Sequence, residues 1–155
     1  MSATDKYRSL VAVYAMLVNE RNEVLLGRRC NTGFRNGYYD MPAGHLEDGE
    51  TLREGAVREL LEEAGVKALV DDLELVELSH RKSTDNRVYV DVFFKVKKWE
   101  GEPSIQEPEK CDHMAWFSVD GLPEMMVPYQ KKALIDRMDG KRYREVGWKG
   151  NLDAE

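Results

Sequence analysis

Gly44-His-Leu-Glu-Asp-Gly-Glu-Thr-Leu-Arg-Glu-Gly-Ala-Val-Arg-Glu-Leu-Leu-Glu-Glu-Ala-Gly-Val66 is the stretch on which the reading of this chain turns. From Thr51 to Ala64 the apolar residues Val57, Leu60, Leu61 and Ala64 recur at i, i+3, i+4 and i+7, which predicts a helix with that stripe buried. Gly65 follows in the position that ends helices. Glu59, Glu62 and Glu63 stand at i, i+3 and i+4, so their carboxylates share a face, expected opposite the stripe. Each such like-charge pair costs about 0.2–0.5 kcal/mol on an exposed helix. Arg58 can reach Glu62 at i+4, but one arginine does not balance three glutamates. Two readings meet this excess. The face is a solvated acidic surface, as charged helix faces commonly are, or it holds a hard divalent cation such as Mg²⁺ or Mn²⁺, for which carboxylate oxygens are the preferred ligands.

Working outward, Leu10 to Val18 is a short Val-containing apolar run that reads as a buried strand. A turn at Asn19–Asn22 returns the chain through a second strand, Glu23 to Arg29, which predicts a hairpin. Tyr38 to Met41 reads as a short strand closed by Pro42. Leu73 to Arg81, Val88 to Trp99 and His113 to Phe117 read as further strands, and Pro128 opens a second helix that Gly140 ends. From Lys141 onward the chain is polar and without periodicity, and is expected to be a tail. Strands in runs with one central and one C-terminal helix predict an α/β sandwich around a mixed sheet.

The bulk properties agree with an enzyme without pointing to one. A chain of 155 residues fits a single domain, 1–155, able to bury a core without staples. Its 42% apolar and 34% charged residues set disorder aside. A net charge of −6 argues against coating a nucleic acid polymer, which draws affinity from Lys and Arg on phosphates. It does not exclude a small anionic substrate held by a metal and a few arginines. No apolar run is long enough for a membrane span, and the N-terminus lacks a signal-peptide order, so a cytoplasmic location is expected. Cys30 and Cys111 accordingly read as reduced thiols, Cys111 as a buried filler. The histidines at 45, 80 and 113 are scattered and make no zinc pattern.

Residues 44–66 resemble the Nudix signature without an exception: Gly, five of any kind, Glu, seven of any kind, then Arg-Glu-apolar-any-Glu-Glu-any-Gly-apolar. The resemblance implies a Nudix-type α/β/α sandwich around a mixed sheet, and a metal-dependent pyrophosphohydrolase. It implies that Glu59, Glu62 and Glu63 hold divalent metal with the Ala43 backbone carbonyl, and that Glu50 orients Arg58. Glu62 or Glu63 is implied as the proton acceptor. Many relatives carry Gly where this chain has Ala43, a departure of little weight because a carbonyl ligand needs no particular side chain. A second stretch, Glu107-Pro-Glu-Lys-Cys-Asp112 with Trp116-Phe117-Ser-Val-Asp-Gly-Leu-Pro123, is similar to the corresponding segment of MutT-like nucleotide diphosphatases.

Outside the signature, Arg28 and Arg29 end the second strand near where such enzymes place a phosphate-binding arginine, and a solvated strand end is the equal alternative. Tyr38, Tyr39 and Phe34 are candidates to stack on a base, with core packing the preferred alternative for Tyr39. Glu107 and Glu109 are loop candidates for the metal or substrate, against a plain acidic surface. Taken together, the expected substrate-binding set is Arg28, Tyr38, Glu107 and Glu109. The resemblance favours hydrolysis of a nucleoside triphosphate, normal or damaged, to monophosphate and pyrophosphate. An ADP-sugar or dinucleotide pyrophosphatase is the alternative, and a non-catalytic nucleotide-sensing module is the alternative of another class. The expected partner is a small nucleotide, with a homodimer suggested by analogy only.

Overall fold

A computed structural model describes residues 5–149. β1 (Leu10–Leu17) lies inside a mixed five-stranded sheet, antiparallel to β4 (Ala43–His45) and parallel to β6 (Val88–Val96). β5 (Leu73–Lys82) continues that sheet, which ends on β8 (Tyr143–Val146) in the order β4-β1-β6-β5-β8. A second, three-stranded antiparallel sheet runs β3-β2-β7, from β3 (Tyr39–Asp40), β2 (Glu23–Arg29) and β7 (Cys111–Ser118). The long helices are α1 (Leu52–Ala64) and α2 (Pro128–Met138). No helix among the described residues is long and apolar enough to cross a membrane.

The two faces of β1 explain the layering. Ala12, Tyr14 and Met16 enter one core with Val24, Leu26 and the α2 residues Ala133 and Leu134. Val13, Ala15 and Leu17 enter the other with Leu25 and the α1 residues Ala56, Leu60 and Ala64. A strand covered on both faces must be apolar at successive positions, which is why Leu10–Leu17 reads as a run rather than an alternation. The α/β/α expectation holds, and the second sheet is an addition to it.

Three local expectations are corrected. The β1–β2 hairpin does not form: the Val18–Val24 bridge and an Asn19 N–H to Glu23 carbonyl bond of 2.9 Å close the turn, and the strands then part into different sheets. Val24, Leu25 and Leu26 are all buried, so β2 supplies both cores, one on each of its faces, instead of extending the sheet beside β1. The buried stripe of α1 is Gly55, Ala56, Leu60 and Ala64, while Val57 is only partly covered and Leu61 is 45% exposed. Small residues on that face let α1 approach the sheet closely. The expected tail from Lys141 contains β8, parallel to β5, with Arg144 and Val146 buried, and its residues 150–155 lie outside those described.

α1 is fixed at both ends. Thr51 caps it reciprocally: its hydroxyl accepts the Glu54 N–H at 3.2 Å and the Glu54 carboxylate accepts the Thr51 N–H at 2.9 Å. Such a cap is worth about 1 kcal/mol. Gly65 closes the other end at φ 70°, its N–H on the Leu61 carbonyl at 3.0 Å.

Candidate active site

Arg58 organises the centre of the site. Its Nε and Nη2 donate to the two carboxylate oxygens of Glu50 at 2.9 and 2.8 Å. Nη1 donates to Glu59 at 2.7 Å and to Glu62 at 3.3 Å, and Nη2 also reaches the His45 carbonyl at 3.1 Å. The Glu50 bond, followed by that of Glu59, raises the Arg58 pKa further, and the same pairing lowers that of Glu50. The donors of Arg58 are thus occupied by protein oxygens, and they tie together three of the signature glutamates, Glu50, Glu59 and Glu62.

The carboxylates around it are not equivalent. Glu62 is exposed, but Glu59 and Glu63 lie beside the buried Ala56/Leu60/Ala64 stripe rather than opposite it, which corrects the expected geometry. Gly44 is the reason Glu59 fits, since a Cβ there would fall inside the Glu59 carboxylate. Burial raises the Glu59 pKa against the pull of Arg58, with Glu62 and Glu107 adding to the rise. Burial pushes Glu63 well above the usual carboxylate range, Asp40, Glu59 and Glu107 pushing the same way and the Ala43 N–H (3.1 Å) opposing. Two acids that are costly to ionise therefore stand four positions apart on α1, and of the two Arg58 pairs with Glu59.

Two cavities meet at Glu63. The larger, about 500 Å³, is lined by Arg28, Lys110 and Glu107 over a floor that includes Leu25 and Met114. The smaller, about 280 Å³, is lined by Phe34, Arg81, Arg87, Tyr89 and Gln130. Arg29, Asp40, Gly44, His45 and Glu63 belong to both.

The other candidates divide. Arg28 and Glu107 line the larger cavity, with Arg28 paired to Asp112 at 2.7 Å. Arg29 is occupied as a rivet for its own loop, donating to Phe34 O at 2.8 Å, Asp40 at 2.6 Å and Thr32 at 3.2 Å. Tyr38 lines neither cavity: it packs against the α2-side core beneath the Arg35 guanidinium, 4.8 Å from its ring. Tyr39 is held by His113 at 2.7 Å and packs edge-on to Phe117. Glu109 is exposed, and its main-chain carbonyl receives Asn31 at 3.1 Å. Asp40, which no spacing singled out, joins the site because β3 sets it between the two cavities, where burial raises its pKa to about 6 against the pull of Arg29.

As they stand, no three His, Cys, Asp or Glu side chains among the described residues are gathered into a metal-holding group. Glu59 and Glu62 are turned onto Arg58, and Glu63 onto the Ala43 N–H. The donor set nevertheless fits a hard divalent cation, being all oxygen, in acid excess and partly desolvated.

The family model of the NUDIX domain matches residues 8–137. The chain belongs to the Nudix family. It is thus a Nudix hydrolase, an enzyme acting on phosphoric anhydrides, in a family that generally uses divalent metal ions. Among Nudix relatives, it is 30% identical to an 8-oxo-dGTP diphosphatase of Escherichia coli, over 84% of this chain and 97% of that protein. It is 28% identical to an RNA pyrophosphohydrolase of Novosphingobium aromaticivorans, over 86% of this chain and 91% of that protein. The crystal structure of a MutT NUDIX hydrolase from Burkholderia pseudomallei shares the fold, with a TM-score of 0.76 at 22% identity over 83% of this chain and 98% of that one.

Proposed function

We propose that the chain hydrolyses a nucleoside triphosphate, normal or damaged, to the monophosphate and pyrophosphate, with Mg²⁺ and with Mn²⁺ as substitute. The observation that carries this reading is the uncompensated carboxylate cluster on α1 at the junction of two cavities. Glu59, Glu62 and Glu63, with the Ala43 carbonyl, would hold the metal. When bound, the cation neutralises the anhydride and lowers the pKa of a water. Glu50 holds Arg58, and Arg58 sets Glu59 and Glu62. Glu62 or Glu63 accepts the proton of the attacking water. Arg28 and Glu107 meet the substrate in the larger cavity, whereas Tyr38 and Glu109 support its surroundings. A pair of cavities meeting at Glu63 also suits an anhydride substituted at both ends, as in an ADP-sugar or dinucleotide.

The test is a panel of triphosphates, 5′-triphosphate RNA, ADP-ribose and a dinucleotide, incubated with Mg²⁺ and followed by ³¹P NMR. The expected result is pyrophosphate and monophosphate from at least one triphosphate. Orthophosphate release alone, or no turnover of any member, contradicts the reading.

A further inference from the structure

We propose that the groove between the start of α1 and the outer part of the five-stranded sheet docks a basic amphipathic helix of a partner protein. Such docking is independent of which anhydride the active site cleaves.

α1 packs across β4, β1 and β6, and part of the same sheet face stays open where β5 lies. A cavity of about 830 Å³ opens there, floored by Leu75 and Leu78 of β5 and by Val92 and Phe94 of β6. Leu52 of α1 and Val70 of the 3₁₀ turn Val70–Asp72 form its walls. Leu52, Val70 and Leu75 are 37%, 39% and 38% exposed, and Leu69, next to Val70, is 71% exposed. A contiguous apolar patch rimmed by polar residues marks an interaction surface, because leaving it wet is costly. β5 is already paired with β6 and β8, so the open part is the sheet's face and not an edge. An extended peptide therefore cannot add here as a strand, whereas a helix rests on a sheet face as α1 does.

The rim decides the kind of helix. Glu50, Glu54 and Asp71 line the groove, and Asp72 follows in the same turn. Glu50 is matched by Arg58, but among the described residues no lysine or arginine pairs with Glu54 or Asp71. Arg53, the cation on the wall, is turned inward. Its Nε donates to the Leu73 carbonyl at 3.0 Å, and its guanidinium lies 5.8 Å from the Phe94 ring centroid. A helix with apolar residues at i, i+3 and i+4, flanked by lysines or arginines, complements both the floor and the rim. A second copy of this chain does not. Two such grooves related by a two-fold axis would set acid against acid at Glu54 and Asp71, and like-charge juxtaposition disfavours a partner.

The probe is a synthetic peptide of leucine and lysine, about 14 residues long and patterned as an amphipathic helix. It is titrated into the ¹⁵N-labelled full-length chain while backbone amide shifts are followed by NMR. A net charge of −6 attracts any cation, so two control peptides are needed. One has the same pattern with glutamate in place of lysine, and the other has the same composition in scrambled order. The expected result is saturable binding of the patterned leucine–lysine peptide alone, with shifts centred on Leu52, Val70, Leu75 and Phe94. The paired variant Val70→Ser/Leu75→Ser should weaken it by at least about tenfold, and Asp71→Asn/Asp72→Asn by a smaller factor. Val70 and Leu75 are partly exposed, so the fold should survive their replacement, and should it not, the scrambled peptide on the unaltered chain decides the matter. Equal binding of the scrambled peptide, shifts centred on Glu59 to Glu63 or spread over the acidic surface, or no binding overturns the proposal. So does a concentration-dependent dimer in sedimentation that Val70→Ser/Leu75→Ser dissolves, since a second copy would then be the occupant.

Discussion

The molecule has two clusters where an arginine meets carboxylates, and they differ in whether they are charge-complete. Behind the sheet, Arg144 of β8 meets Glu77 of β5 at 2.5 Å and Asp136 of α2 at 3.2 Å, with Lys132 and Lys141 within 3.8 and 3.9 Å of Asp136. Three cations there meet two acids, and Arg144 ties β8 to a β5 residue 67 positions away in sequence. At the active site Arg58 alone faces Glu47, Glu50, Glu59 and Glu62, with Glu63 beyond it. The first cluster is finished by folding. The second is left acidic, and its inner carboxylates Glu59 and Glu63 are partly desolvated. On the proposed function the residual charge is where a cation binds, whereas the cluster without acid excess acts as a clasp.

The largest expected effect lies in the clasp. Arg144→Met leaves Glu77 and Asp136 buried with their central cation gone, and should lower unfolding free energy by about 3–5 kcal/mol in urea titrations. Turnover per folded molecule should be retained. At the site the pattern reverses. Glu63→Gln should reduce kcat by about 10²-fold or more in steady-state assays, while the melting temperature in EDTA does not fall, because an acid repelled by Asp40 and Glu59 has been neutralised. If the two variants exchange these phenotypes, the distinction between the clusters is wrong.

Proton linkage sharpens the same contrast. Asp40 has an ordinary value of 3.8 and titrates near 6 in the folded protein, chiefly through burial. Below the lower value both states are protonated. Between the two, the unfolded chain loses its proton while the folded chain keeps it, so metal-free stability should decline as pH rises from about 4 to 6. Glu63 and Glu59 push in the same direction. Denaturant midpoints in EDTA across this window check the sign. A midpoint that rises would mean these acids are not desolvated. The smallest effect is at the helix: Leu61→Ser should change stability by less than about 0.5 kcal/mol, since Leu61 is 45% exposed, whereas Leu60→Ala should cost about 2–5.

How far the sequence could be read follows from where each constraint originates. Helix α1 was legible because its signals are local: the apolar periodicity and the stop at Gly65, while the cap at Thr51 emerged only in the structure. Its rotation was not. Leu60 and Leu61 are equally apolar, and the choice was made by Ala56, Gly55 and Gly44, whose small size lets Glu59 and Glu63 lie against β4. Asn19–Asn22 announced a turn, but a turn does not say whether its flanking strands pair or separate into two sheets. β8 was hidden because Arg144 and Glu145 look like tail residues until Glu77 supplies a buried partner. The signature glutamates were legible as a motif. Asp40 and Arg81 were not, because β3 and β5 bring them to the site from positions with no spacing relation to it.

The acid excess on α1 is the central point, and Mn²⁺ binding tests it most directly. Metal-free protein is titrated with Mn²⁺ while free ion is followed by electron paramagnetic resonance, for the unaltered chain and for Glu59→Gln and Glu63→Gln. The expected result is saturable binding that each substitution weakens by at least about tenfold, together with turnover that EDTA abolishes and Mn²⁺ restores. Mn²⁺ affinity unchanged by both substitutions, or full turnover in EDTA, would contradict it.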